Sequence, residues 1–337
     1  MNVRVRLLAL AAVVVLALTG TAVYIANARA DQRKAVESAP PVAVADLAAL
    51  TAKPHIVFRS TAVGDDYGRV AVVGLDAPSG PRAFAPVTCD RVYARNAEAV
   101  CLYAKPGLVT KYRAEVLGTD WSVKQSLPLS GVPSRARISP DSSLVATTTF
   151  VTGHDYSSPG QFSTETLVTR IGTKQSINLE DFALTVDGRR VTAADRNMWG
   201  VTFADDDTFY ATAASGDKTW LIRGSLAART MTALREDAEC PSISPDHTRI
   251  AFKTRGGQAN GQWHIAVYDI AGGRSTVLSE QNSVDDQIEW LDDRQVLYGL
   301  PRAGNGPSAS DVWTAKADGT GTPQLFISDA WSPAVVR

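Results

Sequence analysis

The chain of 337 residues is poor in the side chains that usually carry chemistry, with 3 cysteines and 4 histidines. His55, His154, His247 and His264 fall in no His-Glu-x-x-His or other metal-ligand spacing, and the cysteines do not have the spacing of a zinc site. No Gly-x-Ser-x-Gly elbow is present, so nothing supports an appended serine-hydrolase domain. Gly256-Gly257 and Gly304-Asn305-Gly306 lack the strand–loop–helix setting and the lysine of a phosphate cradle. Charge of one sign is missing as well. The net charge is −1, and no basic run is interleaved with aromatics, so there is no bulk attraction to nucleic acid. Beyond residue 50 no long amphipathic helical pattern occurs. These absences leave no cofactor and no metal to expect. His154, a lone histidine beside Asp155 in a polar loop, reads as solvated.

There is one long apolar run. Arg4 and Arg6 precede Leu7–Ala28, which is broken only by Thr19, Gly20, Thr21 and Asn27. About twenty residues of low polarity suffice to span a bilayer, whereas a cleaved signal usually has a shorter apolar core. Residues 7–28 therefore read as a membrane anchor, with Arg4 and Arg6 favouring a cytoplasmic N-terminus. The alternative is a signal peptide cleaved after Ala30, because Ala28-Arg29-Ala30 is a small-x-small site. Residues 1–30 form this targeting segment, 31–53 a linker, and 54–337 the folded domain. The expected location is extracytoplasmic. Cys89 and Cys101 flank one predicted hairpin, and a disulfide between them suits an exported domain. Cys240 would then be free.

What fills the rest is a repeat. Ile138-Ser-Pro-Asp-Ser-Ser-Leu-Val-Ala146 returns as Ile243-Ser-Pro-Asp-His-Thr-Arg-Ile-Ala251, with weaker copies at 203–211 and 290–298. The strands after these turns begin near His55, Val100, Leu144, Phe209, Arg249 and Val296, at intervals of 45, 44, 65, 40 and 47. A period near 45 fits four short strands per unit, as in a propeller blade. Period-two alternation of Val, Thr, Tyr and Phe supports strand throughout. The 65-residue interval contains an insertion near 180–196 whose segment 183–192 reads as an extra hairpin around Asp187-Gly188. The first unit lacks an inner strand, and Trp331–Arg337 resembles an inner strand with nothing after it. Joining the two predicts an all-β, six-bladed propeller of four-stranded blades, the first closed by the C-terminal strand, which pairs edges that would otherwise be exposed.

The Ser-Pro-Asp turns followed by Leu-Val-Ala or Arg-Ile-Ala-Phe resemble the repeat of TolB-like six-bladed propellers, over roughly residues 54–337. The resemblance implies a protein-binding component of an envelope assembly. Pro140, Asp141, Pro245 and Asp246 themselves read as turn builders. Asp205-Asp206-Asp207 occupies an equivalent turn and reads as solvated in preference to a calcium site.

Alternating strand directions put the Pro-Asp turns on one face of the ring. The long segments 105–110, 153–163, 180–196, 255–262 and 301–310 fall on the other. Function concentrates on loops held by a rigid scaffold, so the binding surface is expected on the long-loop face. The residues entering each inner strand there, Asp90, Arg135, Asn197, Glu239, Asp285, Asp286 and Asp329, should rim the central channel. Five are acidic, which would guide a cationic envelope protein or peptide. The reading is a non-enzymatic interaction module, anchored through the N-terminal helix and not bound to nucleic acid. A propeller hydrolase or lyase, or a small-ligand or cation sensor at the channel mouth, remains the alternative.

Overall fold

The computed structural model describes residues 2–38, 42–151, 163–257, 261–286, 288–302 and 309–337. They form two units, Met1–Val42 with Val63–Asp65, and Ala43–Ala62 with Asp66–Arg337.

The first unit is dominated by helix α1, Val3–Ser38. Its stretch Val3–Asp31 is long and apolar enough to cross a membrane. At 1.5 Å per residue the apolar run 7–28 spans about 33 Å, against a hydrocarbon core of about 30 Å. The helix therefore fits a signal or an anchor. It continues past Asp31, so the first part of the expected linker is helical.

The second unit is a six-bladed β-propeller. After a short helix α2 (Leu47–Thr51), capped by Asp46 accepting from the Ala49 N–H at 2.8 Å, the chain enters β1 (His55–Ser60), β2 (Arg69–Gly74) and β3 (Ala83–Thr88). Val44 bridges to Arg82, and α2 packs on β2 and β3, so the last part of the expected linker already belongs to the propeller. The second blade is β4 (Arg91–Arg95), β5 (Glu98–Lys105), β6 (Lys111–Leu117) and β7 (Val123–Leu129). The third is β8 (Val132–Ile138), β9 (Leu144–Phe150), β10 (Thr164–Arg170) and β11 (Ser176–Asn178).

The inserted hairpin β12 (Ala183–Val186) and β13 (Arg189–Val191) precedes the fourth blade, β14 (Asn197–Phe203), β15 (Thr208–Ser215), β16 (Lys218–Ser225) and β17 (Thr230–Glu236). The fifth is β18 (Glu239–Ile243), β19 (Arg249–Thr254), β20 (His264–Asp269) and β21 (Ser275–Val277). The sixth is β22 (Glu289–Asp292), β23 (Gln295–Pro301), β24 (Ser310–Lys316) and β25 (Gln324–Ile327). The last strand, β26 (Ala330–Val336), pairs antiparallel with β1 and becomes the inner strand of the first blade.

Burial follows position in the blade. The second strands lie between neighbouring blades and are covered on both faces, which is why they read as continuous apolar runs such as Ile56-Val57-Phe58 and Val100-Cys101-Leu102. Outer strands such as β17 alternate buried and exposed residues, as a strand with one wet face should. The two Ser-Pro-Asp turns make the same hydrogen bonds. Ser139 Oγ donates to Asp141 and accepts from the Leu144 N–H, and Ser244 Oγ does likewise with Asp246 and Arg249. In the insertion Asp187 and Gly188 both have positive φ, 48° and 72°, as a type I′ hairpin requires. Strand β12 joins the outer edge of β17 in parallel, making this blade six-stranded.

Candidate functional site: the two ends of the central channel

Each inner strand starts at the long-loop end of the ring and finishes at the Pro-Asp end. Six of the seven rim residues stand at or shortly before the start of such a strand, and Arg135 lies in the middle of β8. They do not form an open acidic ring. Glu239 and Asp286 are 1 % and 0 % exposed, and Arg135 is 4 % exposed. A charge is buried that deeply only when it is paired.

The partners of some come from the same blade and those of others from other blades. Asp285, in the segment leading to β22, takes Lys253 Nζ of the fifth blade at 2.6 Å and Arg135 Nη2 of the third at 3.3 Å. Burial pushes the Asp285 carboxyl up, but these two cations pull harder and hold it below the ordinary value. Asp286 accepts from Arg91 Nη1 of the second blade at 3.2 Å, from the Gly299 N–H at 2.9 Å and from the Ser332 N–H at 3.1 Å. Glu239 Oε1 receives Arg255 Nη2 at 3.2 Å and Trp263 Nε1 at 3.0 Å, and the Lys253 ammonium sits 4.2 Å from the centre of the Trp263 ring. Asp329 is paired with Arg302 at 3.1 Å, beside Asp311 on the same guanidinium. Asp90 accepts from the Ala104 N–H at 2.7 Å, and the Asn197 side-chain oxygen accepts from the Thr164 N–H at 2.9 Å.

These contacts amend the charge expectation. The rim carboxylates face Arg135, itself a rim residue, and also Arg91, Lys253, Arg255 and Arg302, which a count of residues entering inner strands leaves out. Side chains from five blades meet around Asp285 and Asp286 at this end of the channel.

The opposite end is open. A cavity of about 220 Å³ is lined by residues of the inner strands and the turns after them, among them Tyr93, Arg95, Arg137, Ser242, Glu289 and Arg337. Glu289 is 8 % exposed and accepts from the Val335 N–H at 3.3 Å, with Arg137 Nη2 at 3.7 Å. Burial raises its carboxyl above the usual range despite the nearby Arg137, Arg95 and Arg337. Arg137 is fixed by donating to the Ile288 carbonyl at 2.6 Å and by stacking 4.6 Å from the centre of the Tyr93 ring.

The remaining chemical candidates are structural or lie elsewhere. The carboxylate of Asp205 accepts from the Asp207 N–H within its own turn, and that of Asp207 accepts from the Ala227 N–H after β16. Cys89 and Cys101 are bonded through their sulfurs with Cα atoms 5.4 Å apart, and Cys240 is a buried free thiol. Among the described residues no group of three or more His, Cys, Asp or Glu side chains converges as a metal site. His154 and most of the 153–163 and 301–310 segments lie outside the described residues.

No family model matches the sequence, and no curated protein matches it. Solved structures do. The chain is similar to TolB from Acinetobacter baumannii, with 16 % identity and a TM-score of 0.59 over 84 % of this chain and 67 % of that one. A putative TolB from Agrobacterium tumefaciens gives 11 % identity and a TM-score of 0.51 over 81 % and 88 %. A Mycobacterium tuberculosis puromycin-hydrolysing peptidase gives 12 % identity and a TM-score of 0.51 over 82 % of this chain and 45 % of that one. At these identities the likeness establishes the propeller fold.

Proposed function

We propose that the chain is an exported, membrane-anchored propeller that acts as a non-enzymatic protein-interaction module at the cell envelope. The observation that carries this reading is the use of charge at the long-loop end of the channel. Asp285 and Asp286 are clamped by cations and backbone N–H groups from several blades, and Glu239 by Arg255 and Trp263 of its own blade. They hold the ring together and are not poised as acid, base or nucleophile. The likeness to TolB structures supports the same reading, as does the apolar helix α1 as an anchor.

The rigid ring leaves adaptable surface at its ends. On the long-loop side Leu108 and Val109, at the tip between β5 and β6, are fully and largely exposed, and Lys105 and Lys111 flank them. Large apolar side chains held out on a hairpin tip suit contact with a partner protein.

In-cell cross-linking of the full-length chain in intact envelopes, followed by affinity capture and mass spectrometry, tests the module. One partner that saturates with dose is expected, and its absence would remove the reading. Protease added to spheroplasts should digest the propeller. A mature N-terminus at Asp31 would replace the anchor by a cleaved signal.

A further inference from the structure

We infer that the channel mouth on the Pro-Asp face binds a carboxylate group of an acidic partner segment. The inference rests on the interaction-module reading and assigns it a site on the face opposite the long loops.

The argument begins with register. Arg95 ends β4, Arg137 lies one residue before the end of β8, and Arg337 follows β26. These are the inner strands of three consecutive blades, the second, third and first. All three guanidinium groups therefore reach the same end of the channel, and all three line the same cavity. Such a convergence of like charge costs free energy unless something negative compensates it.

The only carboxylate side chain among the described lining residues is Glu289. It pairs directly with Arg137 and accepts from the Val335 N–H, with Arg95 and Arg337 also near it, so one carboxylate faces three cations. The nearby turn aspartates are committed elsewhere. Asp141 accepts from Ser139 and Ser143, and Asp246 from Ser244 and Thr248 while pairing with Arg249. Among the described residues Arg95 and Arg337 have no ion pair; Arg337 donates to the Leu291 carbonyl, which leaves most of its five N–H donors unused. Tyr93 and Ser242 add neutral hydrogen-bonding groups to the wall.

Size and chemistry then select the ligand. A cavity near 220 Å³ is smaller than the roughly 300–1,000 Å³ of drug-sized ligand sites. It suits one or two side chains or a chain end. The guanidinium fork matches a carboxylate through two parallel hydrogen bonds, and that geometry gives orientation as well as charge.

The test uses the full-length chain in detergent and fluorescein-labelled hexaglutamate, read by fluorescence anisotropy, with hexalysine as the opposite-charge control. Wild type should bind hexaglutamate and not hexalysine. The Arg95→Gln variant, whose side chain joins no two blades, should keep the thermal midpoint of wild type and bind several-fold more weakly, and adding Arg337→Gln, which also gives up the bond to the Leu291 carbonyl of the sixth blade, should weaken binding about tenfold or more. Citrate should displace the peptide better than inorganic phosphate at equal ionic strength. Equal binding by the double variant, or absence of hexaglutamate binding in wild type, would overturn the inference. So would displacement by phosphate ahead of citrate, or binding of hexalysine in its place. Envelope capture that succeeds equally with the double variant would leave the module standing and sink this site. Peptide binding without any envelope partner would do the reverse.

Discussion

Asp286 should act as the pin of the ring closure. Its carboxylate is 0 % exposed and is reached by the Gly299 N–H of β23, by both the N–H and Oγ of Ser332 on β26, and by Arg91 on β4. One side chain thus joins the sixth, first and second blades where the C-terminal strand completes the circle. Asp286→Ala strands an arginine and two buried N–H donors together. Removing one partner of a buried ionic pair typically costs about 3–5 kcal/mol. For a unit of roughly 290 residues, unfolding entropy near 2.1 cal/mol/K per residue converts this into a fall of about 5–8 °C in thermal midpoint. Asp286→Asn keeps the shape but can present an oxygen to only one side, so its amide must face either Arg91 or the two backbone donors. It should cost about half as much. Thermal melts followed by near-ultraviolet circular dichroism give both numbers. A double-mutant cycle with Ser332→Ala should show coupling above about 0.5 kcal/mol, the level expected for groups in contact. An Asp286→Ala protein melting within about 2 °C of wild type, or strict additivity with Ser332→Ala, would refute the pin.

Reduction of the Cys89–Cys101 bond, or Cys89→Ser/Cys101→Ser, closes no loop of 12 residues in the unfolded chain and should lower stability by about 3 kcal/mol, measured by urea unfolding with and without reductant. Asp141→Ala should cost about 1 kcal/mol by removing the acceptor for Ser139 and for the Ser143 N–H, while hexaglutamate binding stays at wild-type level. Glu180 carries a pH signature: burial raises its carboxyl to about 7, with the neighbouring Glu165 adding to the rise and N–H donors such as that of Thr166 opposing it. The folded state thus favours the protonated form, and its stability contribution is fully present below the ordinary carboxylate range and is lost as pH rises towards 7. Glu180→Gln should be close to wild type at pH 5 and more stable at pH 8, by on the order of 2 kcal/mol in urea unfolding; parallel pH profiles for the two proteins would contradict this.

Much of the architecture was legible because propeller strands are defined locally. Three of the predicted second strands, at His55, Leu144 and Arg249, begin on the residues where β1, β9 and β19 begin. Turn chemistry made this possible, since a Ser-Pro-Asp turn closes its hydrogen bonds within five residues. The irregular fourth blade yielded to the same kind of signal, the Asp187-Gly188 pair. The closing strand was visible as an inner strand without a successor. Within the 31–53 segment, α1 is helical to Ser38 and Val44 pairs with Arg82, and neither feature has a compositional mark.

Charge at the channel was not legible in this way, and the reason is sequence distance. The Asp285–Arg135 contact joins residues 150 apart, and Asp286–Arg91 joins residues 195 apart. The list of residues entering inner strands holds Asp285 and Arg135 without showing that they meet, and it omits Arg91 and Lys253, so it suggests a net field where the folded ring has paired charges. The cavity at the other end had a usable signal. Arg137-Ile-Ser-Pro-Asp and Ser242-Ile-Ser-Pro-Asp share one register, so period-two alternation turns both first residues toward the axis. Applying that register to every inner strand brings Arg95, Arg137 and Glu289 to one end of the channel before any distance is known. In a ring of blades the informative unit is therefore the layer, the set of residues at one height on all six inner strands. Reading charge by layer separates the end where acids and bases cancel from the end where arginines remain in excess.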